Sequence, residues 1–554
     1  MHKLVTVAEM QSVEQEANAN GLTYGEMMEN AGLGVAEVVL KTCSDLKEGG
    51  VLGLVGSGNN GGDTLVALTH LAKQGWKANA YVMRERPPSD PLIVRLKESG
   101  GRVFFSAEDS RFNQLEKLLG DQRVLLDGVL GTGIKLPLKK KLAEALGKAK
   151  QIIRNMSVPP RIVAVDCPSG IDLQSGEVSP ECIPADITVT MAAVKVGLLS
   201  FPANKYVGDL YVVGIGLTED DPRSETWRGI QRFMADGAWV SYVLPPRPSD
   251  AHKGTFGTVM VVAGSVNFTG AAVLAGKAAF RCGVGLVCMA VPSPLHTALS
   301  GHFVEATWLL LPHELGVIAE DAAEVVFENL GRTTAMLLGP GFGLEETTKD
   351  FLARLIGLPQ KTGKGKIGFI PTAESSEEHR KELPPLVLDA DGLKLLSQIP
   401  NWSAMLPPPA ILTPHPGEMS IMTGLSIHEI QKDRIGVAEK YAREWGHVVV
   451  LKGANTVVAS PDGRTVVIPV ATAALARGGT GDVLSGAIAG LRAQGIEAFE
   501  SAVAGCWIHA QAGLYAAKTL GSTAPLLAGD VLNAVAPIVS ELYAPRKKMW
   551  EMEE

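Results

Sequence analysis

The chain has 554 residues, 46% hydrophobic and 20% charged, which calls for two or three globular cores rather than one. Its net charge of −8 excludes a general nucleic-acid or anionic-membrane binder, since both need basic surface, but leaves room for a local anion site. No run of about 18 apolar residues occurs, so no membrane span is expected.

In chain order, the start reads as helices, with capping boxes at Thr6–Glu9 and Thr23–Glu26. Strands then alternate with helices: strand Val51–Val55, helix Asp63–Gln74, strands Ala78–Met83 and Val124–Leu130, helix Leu138–Arg154, and strands Arg161–Asp166, Asp186–Met191 and Asp209–Ile215. Apolar runs of this length between helices imply a largely parallel sheet covered on both faces. The acidic, proline-containing stretch Leu217–Arg228 breaks the series, giving a first domain over 1–216, a linker over 217–229 and a second α/β domain over 230–545. The second series has strands Thr258–Ala263, Leu286–Val291, Ala335–Leu338, Leu386–Leu388, Ala410–Leu412 and Val448–Leu451. Ser426 is expected to cap one long helix ending near Gly446, a hairpin is expected around Pro461–Gly463, and helices follow Gly479. Lys361–Glu382 reads as a polar surface insertion. Cys43, Cys167, Cys182, Cys282, Cys288 and Cys506 form no CxxC pair; they read as buried small hydrophobes in a reducing, cytoplasmic setting.

Three polar, glycine-rich strand ends stand out in the first half. Gly56–Asp63 (GSGNNGGD) follows a strand and opens a helix, where backbone N–H groups and the helix N-terminus favour phosphate; its spacing is not the ordinary GxGxxG fingerprint. Asp127–Gly133 and Asp166–Asp172 each place an aspartate at a strand end before a glycine turn. In doubly wound sheets such ends converge on one crevice, and Asn60, Asp127 and Ser169 offer oxygen ligands suited to a hard cation. Each aspartate alone reads equally as a turn or cap residue; the three together point to a site.

These motifs, with Met27–Gly32 (MMENAG) and Lys195–Leu198, resemble the NAD(P)HX epimerase domain over roughly residues 4–216. The resemblance implies a Rossmann-like doubly wound sheet, potassium held by Asn60, Asp127 and Ser169, and substrate contacts from Asn59, Asn60, Gly61, Gly62 and Asp63, from Gly131, Thr132, Gly133, Ile134, Lys135, Leu136 and Pro137, and from Asp166. Thr64 departs from the glycine usual in the family. The chemistry is inversion at C6 of the hydrated ring, with Asp166 as general acid and base; Lys195 is either its structural ion-pair partner or a catalyst.

In the second half, His252–Gly257 opens the first strand, and polar residues again follow strands: Gly264–Ala272, Gly339–Gly343 (GPGFG), Leu388–Gly392 (LDADG), Thr413–Glu418 (TPHPGE) and Lys452–Thr456 (KGANT). Gly478–Gly486 (GGTGDVLSG) carries the strongest signal. Gly-Thr-Gly-Asp opening a helix presents backbone donors to phosphate charge, and Asp482 in the first turn can take a proton from a hydroxyl or merely stabilise the helix end. The loop resembles the ribokinase-like superfamily, and the ordered set of motifs resembles ADP-dependent NAD(P)HX dehydratase over roughly residues 230–540. The resemblance implies a ribokinase-like α/β domain that transfers the β-phosphate of ADP to the C6 hydroxyl and then eliminates phosphate. Ala271, Gly343, His415 and Asp482 would meet the substrate, and Asp482 would be the base. Lys452, Gly453, Ala454, Asn455, Thr456 and Gly481 would hold ADP; Asp389 and Asp391 would orient Mg²⁺, or Asp391 would cap the next helix. Val470–Arg477 lacks the Asn-Pro or Thr-Pro expected before the loop.

The expected partners are the small molecules NADHX, NADPHX and ADP, with no nucleic acid and no membrane, in a homo-oligomer. Two other readings stand against this one: a vitamin or sugar kinase fused to a nucleotide-binding domain, and a scaffold built on an epimerase-like fold.

Overall fold

The computed structural model describes residues 1–358 and 382–544; the expected insertion, apart from Glu382, lies outside them. The chain divides into two compact units, His2–Arg232 and Phe233 onward together with Met1. Among the described residues no helix is long and apolar enough to cross a membrane.

The first unit is built on seven parallel strands in the order Arg102–Phe105, Ala78–Val82, Val51–Val55, Val124–Gly128, Arg161–Val165, Ile187–Met191, Asp209–Val213. Alternate residues face opposite layers: Val51 and Val55 enter one core, Leu52 and Leu54 the other. The strand order reverses between Val51–Val55 and Val124–Gly128, and the crevice of an open α/β sheet lies at such a reversal. Sequence reading missed His2–Val5, which pairs in parallel with Val194–Lys195 before both capping boxes form as expected. It also missed strand Arg102–Phe105 and the helices Pro91–Glu98 and Asn113–Asp121. The stretch Leu217–Arg228 packs within the first unit: Trp227 is buried in its core, its Nε1 donates to the Thr218 carbonyl at 2.8 Å, and Ser224 Oγ donates to Glu16 at 2.7 Å.

The sheet of the second unit runs Thr307–Leu311, Leu286–Pro292, Thr258–Val262, Ala335–Leu338, Leu386–Leu388, Ile411–Leu412, Val448–Leu451, all parallel, then the antiparallel hairpin Val457–Ala459 and Thr465–Val467. Val259 and Val261 face one core, Met260 and Val262 the other. The order reverses between Thr258–Val262 and Ala335–Leu338. Helix Thr480–Ala493 is almost wholly buried and lies on Thr269–Arg281. Gly486 and Gly490 permit that approach, because a Cβ on Gly486 would sit 2.0 Å from the Ala275 carbonyl oxygen. The single helix expected from Ser426 to Gly446 is two, Ile427–Lys432 and Arg434–Trp445. The first ends at Asp433, whose carboxylate accepts the Gly436 N–H and starts the second.

Candidate active sites

In the first unit, the helix after Val51–Val55 begins at Asn59, earlier than the expected Asp63, so the Asn-Asn-Gly-Gly residues form its first turn. Glycine is required there: a Cβ on Gly61 would lie 2.1 Å from the Gly56 carbonyl oxygen, and one on Gly56 2.0 Å from that of Val129. Thr64 fits inside this helix, its Oγ1 donating to the Asn60 carbonyl one turn back at 2.8 Å.

The three strand ends meet through Leu130. Asn60 Nδ2 donates to its carbonyl at 2.7 Å, and its N–H donates to Ser169 Oγ at 3.0 Å. Ser169 then donates twice to Asp127, from Oγ at 2.5 Å and from its backbone N–H at 2.8 Å. Asp127 is wholly buried, burial raises its carboxyl pKa, and no Lys or Arg among the described residues forms an ion pair with it. Asn60 Oδ1 is buried without a hydrogen-bond partner. An uncompensated carboxylate beside an orphaned amide oxygen and a hydroxyl is an all-oxygen donor set that fits an alkali cation.

Asp166 has a left-handed φ of 64°, a conformation rare outside glycine and concentrated at functional positions. Its Oδ1 accepts from Lys195 Nζ at 2.6 Å and Thr190 Oγ1 at 3.0 Å. Lys195 is 1% exposed, and its ammonium also donates to Thr190 Oγ1 and to the Met191 carbonyl, so it is fully engaged as an ion-pair partner. Asp63 is buried nearby; burial, then the charges of Asp166 and Glu14, holds its carboxyl well above the ordinary range. Burial, with the charge of Asp166, raises the carboxyl of Glu14 on helix Val7–Ala19, opposed by Lys195. Gly131 packs on Asn60, whereas Thr132, Gly133, Ile134, Lys135, Leu136 and Pro137 form a turn outside this hydrogen-bonded cluster.

In the second unit, Asp482 lies in the first turn of helix Thr480–Ala493, after Gly479 in the left-handed region at φ 88°. Burial, and then the charge of Asp389, pushes the Asp482 carboxyl up to about 7, opposed by Lys452. Lys452 Nζ donates to Asp389 Oδ1 at 2.6 Å, Thr413 Oγ1 donates to the same oxygen at 2.8 Å, and a Cβ on Gly481 would lie 3.7 Å from Lys452 Nζ. In the loop after Val448–Leu451, Gly453 and Thr456 bond to each other, Ala454 is exposed, and Asn455 adopts a left-handed φ of 52°. Asp391 starts helix Asp391–Leu396; it accepts the Gly343 N–H at 3.1 Å and pairs with Lys394 at 2.9 Å. The Gly-Pro-Gly-Phe-Gly loop touches Ala271, for a Cβ on Gly341 would lie 3.0 Å from that of Ala271. Among the described residues no three His, Cys, Asp or Glu side chains gather as a metal cage.

His415 is the N-cap of helix Pro416–Thr423. Its Nδ1 accepts the N–H groups of Gly417 at 2.9 Å and Glu418 at 3.2 Å, which leaves the proton on Nε2. Burial lowers its pKa, which favours the neutral ring, opposed by the charge of Glu418. Sequence reading quoted Glu418 but gave it no role, and it passed over Thr190 and Glu14; only their chemistry-bearing neighbours marked them.

Two open α/β units, each gathering acidic side chains and glycine turns at the carboxyl ends of its strands, define a two-site enzyme of the nucleotide-handling α/β class. Residues 25–197 match the family described as YjeF-related protein N-terminus, and residues 259–533 match NAD(P)H-hydrate dehydratase. A bifunctional NAD(P)H-hydrate repair enzyme from Moorella thermoacetica is 32% identical over 97% of each chain, and one from Escherichia coli K12 is 31% identical over 95% of this chain and 92% of its own. A solved ADP/ATP-dependent NAD(P)H-hydrate dehydratase from Bacillus subtilis, co-crystallized with ATP/Mg²⁺, is 28% identical, with a TM-score of 0.45 over 56% of this chain and 98% of that one. The chain belongs to the family of bifunctional NAD(P)H-hydrate repair enzymes.

Proposed function

We propose that the first unit epimerises R and S forms of hydrated NADH and NADPH, and that the second dehydrates the S form with ADP, yielding NAD(P)H, AMP and phosphate. The observation that carries the reading is Asp482: a carboxylate poised near neutral pH at the head of a glycine-initiated helix, with Lys452 fixed beside it.

In the second unit, Asp482 takes the proton of the C6 hydroxyl as the oxygen attacks the β-phosphorus of ADP. The first-turn N–H groups of Thr480–Ala493 and the Lys452 ammonium face the phosphate charge that shifts onto the leaving AMP. Phosphate then departs from C6 and a proton leaves C5, restoring the dihydropyridine double bond. Ala271, Gly343 and His415 frame the substrate, His415 presenting a neutral Nε2–H donor. Mg²⁺ would neutralise the nucleotide phosphates from the Asp389 and Asp391 side.

In the first unit, Asp63, whose carboxyl burial holds above the ordinary range, donates a proton so that the C6 hydroxyl leaves as water while the N1 lone pair forms a C6=N1 bond. Water returns to the other face of C6 and loses its proton to Asp166, whose Oδ1 is paired with the Lys195 ammonium. A potassium ion at Asn60, Asp127 and Ser169 would supply fixed positive charge beside the glycine turn.

The buried or half-buried free cysteines support a reducing, cytoplasmic setting, and the same reading takes the enzyme as a homo-oligomer with small-molecule partners. The competing small-molecule kinase is separated by its product. Incubation of NADPHX with ADP should release inorganic phosphate in step with NADPH, leaving no stable phosphorylated substrate. A stable phosphorylated product would mark a kinase instead.

A further inference from the structure

One buried carboxylate has no part in the scheme above. Glu418, the third residue of helix Pro416–Thr423, is 3% exposed. Its Oε2 accepts the His415 N–H at 2.8 Å, completing a capping box in which the histidine ring is the cap. The same oxygen lies 3.5 Å from Lys452 Nζ, and Oε1 lies 3.4 Å from His415 Nε2. The backbones of these two loops also join, Lys452 N–H donating to the Pro414 carbonyl at 2.9 Å.

A capping glutamate needs none of this burial. Glu26 and Glu429 close capping boxes of the same kind in this chain and both are exposed. Burying a carboxylate costs several kcal/mol unless it is paired, so a cap alone does not account for Glu418. Its position does: one carboxylate touches the histidine loop and the lysine loop together. Lys452 is in turn anchored by Asp389, so moving either loop disturbs the other through a buried charge rather than through solvent.

We propose that Glu418 couples the two ligand-holding loops of the second unit, so that a hydrated or reduced nicotinamide cofactor seated at His415 and a nucleotide seated at Lys452 alter each other's affinity. The assignment of the two ligands rests on the function proposed above. Glu418 acts as a positioning residue, through His415 and Lys452.

The test is calorimetric, on the full chain with Mg²⁺: the Kd of ADP with and without saturating NADPH, for the wild type and Glu418→Gln. Glutamine keeps the capping bond and removes the charge. In the wild type NADPH should change the Kd of ADP by about fivefold or more. In Glu418→Gln the ratio should fall close to one with the melting temperature held. A wild-type ratio of one overturns the coupling without need of any variant, and so does a ratio that survives the substitution. Failure of the wild type to bind either ligand overturns the assignment of the site as well, which separates the two failures.

Discussion

Asp482 is the residue on which most of the chemistry turns, and its carboxyl is pushed up to about 7 because it is buried beside Asp389. A base must be ionised, so kcat/KM for dehydration should fall tenfold per pH unit below about 7, rather than below the ordinary carboxylate range near 4; a flat profile down to pH 5 would remove Asp482 as the base. Stability carries the opposite sign. Between its ordinary 3.8 and about 7 the folded group holds a proton that the unfolded group has lost, so its contribution to stability is present at low pH and is lost as pH rises through about 7. Asp482→Asn should therefore lose dehydration by on the order of 10² or more, yet gain on the order of 2 kcal/mol of stability at pH 8, read as a higher melting temperature. In the first unit, Asp166→Asn should leave dehydration of the S epimer intact and block consumption of the R epimer; normal loss of both would exclude Asp166 from epimerisation. Asp166 was legible because it ends an apolar run ahead of a glycine turn, and Asp482 because it follows the Gly-Thr-Gly that opens a helix. Glu418, Glu14 and Thr190 were not, because their partners are brought to them by the fold: Lys452 reaches Glu418, and Lys195 reaches Thr190, from other elements.

At the scale of elements, helix Thr480–Ala493 positions the GTGD turn by lying unusually close to Thr269–Arg281. Gly486→Ala would place a methyl 2.0 Å from the Ala275 carbonyl, so the helix must shift. A loss of about 1–3 kcal/mol from overpacking is expected by denaturant titration, with dehydration weakened because the displaced helix carries Asp482. An unchanged midpoint would mean that the contact is slack. Sequence patterning located Ala335–Leu338, Leu386–Leu388 and Val448–Leu451 to the residue, since strands buried on both faces are continuous apolar runs. It missed His2–Val5, too short to show a period, and Thr307–Leu311, whose outer position leaves it only partly buried. It also ran through Asp433, because a cap within two helical stretches leaves the apolar spacing nearly unbroken.

Over the whole molecule, two units of one architectural class carry different sets of polar side chains, and in each the candidate groups gather at the carboxyl ends of strands. Motifs therefore announced both sites, while the division of the chain was read slightly early: the acidic stretch before Arg232 looks like a linker but buries Trp227 in the first core. Both sites are proposed to act on one damaged cofactor. The most direct measurement is recovery of reduced-cofactor absorbance from mixed R and S NADPHX with Mg²⁺, K⁺ and either ADP or ATP. Complete, ADP-dependent recovery of both epimers is expected. Recovery that stops at the S fraction would contradict the epimerase half, and no recovery with either nucleotide would contradict the whole.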